Sequence, residues 1–319
     1  VTGDDVFAED PEINELQKKC AEMFGMEAGL FCPSGTMTNQ IAIAVHTSPG
    51  EEVICDKLSH IYNYEGGGIA RLSGASVRLL QGDLGRFRAS DVTSNVNPLD
   101  SHYAKTSLVS LEDTCNKGGG SIWDLSELRE VSKVSRELGL AVHLDGARLW
   151  NAIVARGIHN DVKALQEYGS HFDSISLCFS KGLGCPIGSV LIGSTSFIAK
   201  AHRARKVFGG GMRQAGIVAA AGIYALENNI DRLEIDHARA KRLGEAALHH
   251  PSVISHYPID TNIVILELQK GVDADALSAE WGRNGIECFQ FGPSSIRFVT
   301  HLDNTDAQID AACNYLSKI

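Results

Sequence analysis

The segment 173–188 reads Asp-Ser-Ile-Ser-Leu-Cys-Phe-Ser-Lys-Gly-Leu-Gly-Cys-Pro-Ile-Gly, a short apolar strand that stops at Ser180-Lys181 and enters a glycine-rich turn. A lysine at the mouth of a buried strand has its ammonium destabilised by burial, and so becomes a nucleophilic amine. Such an amine is a candidate Schiff-base former, the means by which proteins hold pyridoxal phosphate. Taken alone, the segment fits equally well a strand-end lysine pointing into water. A second segment shifts that balance. Residues 140–150 read Leu-Ala-Val-His-Leu-Asp-Gly-Ala-Arg-Leu-Trp, which sets Asp145 at the carboxyl end of another apolar strand. Open α/β sheets bind their ligands at that end. A buried carboxylate needs a cationic partner, and a protonated pyridine nitrogen is one. The plainer alternative is a structural salt bridge from Asp145 to Arg148. A strand-end acid followed 36 residues later by a strand-end lysine is more specific than either alone.

Four further groups could do chemistry. Ser34, Gly35 and Thr36 open a helix after the first strand and would offer N–H groups and hydroxyls to a phosphate; an ordinary helix cap has the same composition. His60 follows the second strand and could stack on a planar ring or carry protons; Glu65, five residues on, needs no role if it is an exposed acid on a helix. A basic helix over 197–208 leads through Lys206 into Gly209-Gly210-Gly211-Met212-Arg213. There the loose backbone suits close approach, and Arg213 suits a phosphate, across a subunit boundary if not within the chain. Arg297 stands in the middle of an apolar strand, either clamping a carboxylate in bidentate fashion or closing an internal salt bridge.

The elements that must position these groups alternate. Apolar runs at 30–32, 52–55, 76–80, 107–111, 141–145, 174–178 and 189–192 read as seven strands. Amphipathic stretches lie between them. In 124–138, Leu125, Leu128, Val131, Val134 and Leu138 follow helical spacing, with Asp124 as cap and Gly139 as stop. The alternation predicts an α/β fold, a seven-stranded, mainly parallel sheet flanked by helices on both faces. After residue 230 the pattern changes. A charged helix over 231–249, strands over 261–268 and 295–300, and helices over 274–283 and 305–316 predict a smaller C-terminal α+β domain. The expected division is 1–230 and 231–319, with the natural chain expected to start before Val1.

A length of 319 residues allows both domains, and a net charge of −10 disfavours a nucleic-acid partner. The longest apolar run, around 219–225, is too short for a bilayer, and no secretory signal is visible at Val1. Eight scattered cysteines without a Cys-x-x-Cys pair predict no metal site and a reducing, cytoplasmic setting.

At this level of detail the chain resembles the low-specificity L-threonine aldolases, enzymes of pyridoxal-phosphate fold type I. The segments that carry the likeness are 3–11, 33–37, Ser59-His60, His143 to Arg148, 177–182, 209–216 and 296–301. The resemblance implies that Lys181 holds pyridoxal phosphate and Asp145 partners its ring nitrogen. It implies that His60 stacks on the ring and shares in proton transfer, and that Gly35 and Thr36, with Arg213 of a neighbouring chain, bind the phosphate beside Ser34 and Ser180. Arg148 and Arg297 would clamp the substrate carboxylate, and Lys206 would lie near the substrate. The implied assembly is a homotetramer, a dimer of dimers with shared sites. The implied reaction is retro-aldol cleavage of L-threonine or L-allo-threonine to glycine and an aldehyde. A racemase or β-eliminating lyase, and an inactive scaffold of the same fold, are the alternatives. One departure stands out. Where the family carries a histidine near the substrate hydroxyl, this chain has Cys115, a poor stand-in for an imidazole at neutral pH. Either His60 or a water would then take the hydroxyl proton, or the substrate preference differs.

Overall fold

The structure is a computed structural model that describes residues 2–317; Val1, Lys318 and Ile319, the outer ends of the two expected domains, lie outside it. Seven strands, β1 (Ala28–Cys32), β2 (Glu52–Asp56), β3 (Ser76–Leu80), β4 (Thr106–Glu112), β5 (Ala141–Gly146), β6 (Ser174–Cys178) and β7 (Ser189–Gly193), form one sheet in the order β1-β7-β6-β5-β4-β2-β3. Each of the seven expected runs lies within one of them. β7 pairs antiparallel with both β1 and β6, and the remaining pairs are parallel. The carboxyl ends of β1, β2, β4, β5 and β6 therefore open on one edge.

Every residue of β2, β4, β6 and β7 is buried, as expected of a sheet covered on both faces. Helices supply the cover. In Leu125–Glu137 the spacing read from the sequence becomes a buried stripe through Leu128 and Val131, and Asp124 caps the first turn by accepting from the N–H groups of Ser126 and Glu127. In Pro11–Met23 the cap is Asp10, whose Oδ1 accepts from Glu12 and Ile13 while its Oδ2 accepts from the Gly216 N–H. One fully buried carboxylate thus starts two helices, the second being Gly216–Asn228, which the sequence offered only as an apolar run.

The last third of the chain builds a separate antiparallel sheet. Its strands β8 (Val253–His256), β9 (Ile263–Leu268), β10 (Phe289–Gly292) and β11 (Ser295–Val299) run in the order β10-β11-β9-β8. β8 and β10 were not legible beforehand, because their partly exposed residues carry no continuous apolar run. The helices Leu233–Ala247, Ala274–Arg283 and Asp306–Leu316 close its core around Trp281, Val264 and Phe298. Thr305 caps the last helix through a reciprocal pair with Gln308. All eight cysteines are free. Among the described residues no helix is long and apolar enough to cross a membrane.

Candidate active site

Each strand that opens on the shared edge delivers one or two polar side chains there. Ser34 follows β1 and caps the helix Gly35–His46 by accepting from the Met37 N–H at 3.2 Å. Ser34 and Thr36 are exposed and Gly35 is half-buried, so the first turn of this helix is open to a ligand. His60 begins a short helix after β2, and its backbone N–H donates to Glu112 Oε2 at the end of β4, 2.8 Å away. Asp145 lies on β5 opposite Ser176 of β6, and Lys181 follows a few residues past the end of β6. Lys181 is partly buried and Ser180 exposed. Gly182 fixes the turn beyond the lysine: a Cβ there would come within 3.0 Å of Asn151 Oδ1 and of the Leu233 side chain.

Asp145 is 2% exposed. Its Oδ1 accepts from the Ala147 N–H at 3.0 Å and its Oδ2 from Asn39 Nδ2 at 2.8 Å. Both donors are neutral, which leaves the buried carboxylate suited to a further, cationic partner. Arg148 does not supply that partner in the way the sequence allowed. It donates instead to Asn116 Oδ1 at 3.3 Å, and Arg297, reaching over from β11, donates to the same oxygen at 2.8 Å. Burial lowers the pKa of both arginines, and for Arg148 the nearby Arg297 charge adds to the effect. Arg297 Nε is buried without a hydrogen-bond partner. Two guanidinium groups sharing one neutral oxygen form a place for an anion.

His60 Nδ1 lies 2.9 Å from Glu65 Oε1. Burial alone would lower the histidine's pKa, but the bond to Glu65 and the charges of Asp145, Glu65 and Glu112 outweigh it, and the net shift is upward. Glu112 is raised to about 7 by burial and by the Asp145 charge, against donation from the N–H groups of Asn116 and His60. His60, Glu65 and Asp145 bring potential metal-ligand atoms within 4.8 Å of one another, a constellation the sequence did not suggest. Here Glu65 and Asp145 are joined through the Asn39 amide, and Gln40 Nε2 donates to Glu65 Oε2 at 2.6 Å.

Three expected site residues stand differently from the rest. Cys115 is fully buried, and a Cβ on Gly85 would come 2.2 Å from its sulfur, so the side chain packs against that loop. Its neighbour Asn116, unmarked in the sequence reading, faces the arginines instead. Arg213 is largely exposed and pairs with Asp4 at 2.6 Å. Lys206 is exposed and lines a cleft with Val6, His202 and Gly211. Asn39, Gln40, Glu112 and His143 were also missed. The usable signal was polar residues at alternate positions of buried strands, as in His143 and Asp145.

Comparison with known proteins gives a consistent picture. A β-eliminating lyase family profile matches residues 1–270. A low-specificity L-threonine aldolase from Candida albicans is 43% identical over 272 residues, 84% of this chain and 70% of the relative. The low specificity L-threonine aldolase of Escherichia coli strain K12 is 39% identical over 308 residues, 96% of this chain and 89% of its own. Among solved structures, a threonine aldolase from Leishmania major superposes with a TM-score of 0.82 at 21% identity, covering 97% of this chain and 90% of that one. At that identity the superposition speaks for the fold.

Proposed function

The chain belongs to the β-eliminating lyase family, among the low-specificity L-threonine aldolases, and from that premise we propose that it is a pyridoxal-phosphate enzyme that cleaves L-threonine, L-allo-threonine and related β-hydroxy-α-amino acids to glycine and an aldehyde. The observation that carries the proposal is the pair Arg148 and Arg297 converging on Asn116 Oδ1 beside the buried Asp145. One cluster thus offers an anion site for an amino acid carboxylate and an acid for a ring nitrogen.

The residues present fit the cofactor. Asp145 is a buried acid with only neutral hydrogen-bond donors. At the first turn of the helix Gly35–His46, Ser189 Oγ is buried without a hydrogen-bond partner, and a Cβ on Gly35 would lie 3.5 Å from it. That orphaned hydroxyl beside free N–H groups suits a phosphate. Lys181 would hold the cofactor, Asp145 its ring nitrogen, His60 its face, and Ser34, Gly35, Thr36 and Ser180 its phosphate, with Arg213 of a neighbouring copy. When bound, the cofactor supplies an electron sink for the pair released at Cα.

The protein's own work is orientation and proton handling. Arg148 and Arg297 fix the substrate carboxylate in place of the Asn116 oxygen and so set which bond of Cα stands ready to break. Glu65 holds the His60 Nδ1 proton, which leaves Nε2 to take the proton from the β-hydroxyl as the Cα–Cβ bond opens. Threonine then yields acetaldehyde, and a proton returned to Cα yields glycine. Residues 231–319 act in this scheme as a second domain that contributes Arg297. Exposed Phe7, Val207, Ile217 and Tyr224 supply apolar surface for association into a homotetramer with shared sites, in which Lys206 and Arg213 serve a neighbour. A cytoplasmic location suits the eight free thiols.

The deciding test is acetaldehyde release from L-threonine by the protein loaded with pyridoxal phosphate. A loaded protein that gives only D-amino acid or pyruvate is a racemase or an eliminating lyase instead. Two variants probe the parts. Arg297→Ala is expected to raise KM for threonine by roughly one to two orders of magnitude with a smaller change in kcat, and Arg297→Lys should not restore it, because the fork is lost. Glu65→Gln removes the bond that raises the His60 pKa. The acid limb of the pH profile of kcat/KM should therefore move to lower pH. The same pairing stabilises the fold fully below the ordinary histidine pKa of 6.5, and its contribution disappears as pH rises through the raised value. Unchanged limbs in Glu65→Gln would remove His60 from the proton path.

A further inference from the structure

Behind Asp145 a line of buried polar groups runs through the interior beneath the helix Gly35–His46. Asn39 Nδ2 donates to Glu65 Oε1 at 2.9 Å and to Asp145 Oδ2 at 2.8 Å. Two carboxylate acceptors identify that atom as the NH2, so Asn39 Oδ1 accepts, and its partner at 3.2 Å is His143 Nε2. His143 therefore carries its proton on Nε2. The ring is fully buried, and burial pushes its pKa down to about 3, so it is neutral and its Nδ1 must accept. The donor is Ser174 Oγ, 2.8 Å away. With its proton so committed, the Ser174 oxygen accepts from His46 Nε2, also at 2.8 Å. His46 ends the line, stacked on Phe197 with ring centroids 4.5 Å apart, at the wall of a cavity of about 630 Å³ lined also by Arg136, Asp173 and Lys200. The proton positions follow from the two carboxylates at the start and from the neutral His143 ring, and every donor points toward the acids.

The arrangement answers a specific problem. Glu65 and Asp145 have carboxylate oxygens within 4.8 Å of each other. Like charges that close repel each other, and Asp145 serves a protonated ring nitrogen only as an acceptor. One N–H to each acid, from an amide polarised by three further hydrogen bonds, favours both as acceptors. We propose that His143, Ser174 and His46 are positioning residues, which act through Asn39 to hold Asp145 and Glu65 in place as proton acceptors toward the cofactor. The proposal rests on the pyridoxal-phosphate reading of Asp145.

The test is binding of pyridoxal phosphate to the cofactor-free protein, together with the pH midpoint of the bound cofactor's visible band. Ser174→Ala is expected to weaken cofactor binding roughly tenfold and to shift the midpoint. His46→Phe keeps the stack on Phe197 and removes the last donor, and should weaken binding by a smaller factor. The two changes break the same line, so the double variant should bind no more weakly than Ser174→Ala alone. Ser132→Ala, which loses a buried serine bonded to the His171 carbonyl elsewhere in the fold, should leave binding and midpoint unchanged. Additive losses, a Ser132→Ala effect of equal size, or unaltered binding in Ser174→Ala would each overturn the proposal. If Ser174→Ala fails to fold, unaltered binding and midpoint in His46→Phe overturn it. A wild-type protein that takes up no pyridoxal phosphate would sink the proposed function itself, a result distinguishable from all of these.

Discussion

Lys181→Ala should lose threonine cleavage by roughly four orders of magnitude or more, together with the visible absorbance of a lysine-held cofactor. Lys181 is partly buried in the turn just past the carboxyl end of β6, and the tight packing of Gly182 against Asn151 and Leu233 fixes that turn. Shortening the side chain leaves that turn and the strand intact, so the thermal transition of the cofactor-free protein should be nearly unchanged. The measurement is acetaldehyde production alongside the absorbance spectrum. A variant that keeps either signal at wild-type strength would show that another amine holds the cofactor.

The second large effect is expected at Asp145. Asp145→Asn keeps the shape and removes the charge, so kcat should fall by roughly a thousandfold while KM for threonine changes little. The split follows from where the contacts lie. The proposed carboxylate clamp is Arg148 with Arg297, whereas the Asp145 carboxylate accepts from Ala147 and Asn39. Cofactor affinity should drop in the same variant, as measured by titration of the cofactor-free protein. A large rise in KM with kcat preserved would instead mean that Asp145 acts on the substrate.

How much of this could be read in advance depends on whether a residue's partner is near in sequence. Asp124, Gly139 and Thr305 announce helix ends because caps act over a few residues, and all three sit where the spacing put them. The strand carrying Asp145 and the strand that leads to Lys181 were legible because a parallel strand buried on both faces is a largely apolar run. The edge strands of the second sheet were not, because Ser255 and His256 in one and Gln290 in the other interrupt the apolar run. Likeness to a family named Arg297, but nothing local could say that it meets Arg148 on a single oxygen, since 181 residues separate it from Asn116. Cys115 drew notice because it stands where the family carries a histidine, and nothing local could say that its sulfur packs against Gly85, from a distant turn. His143 and Ser174 were counted as parts of apolar strands, although polar residues on one face of a buried strand have to find each other across the register.

The shared oxygen of Asn116 bears on how choosy the enzyme can be. In the role proposed for them, the paired cations would grip the half of a substrate that all α-amino acids have in common, and they already converge without a ligand. Little recognition energy then depends on what is attached at the β-carbon. A catalyst built this way would accept many aldehyde-yielding side chains by default, and narrowing its diet would require new walls near His60 with the arginines left as they are.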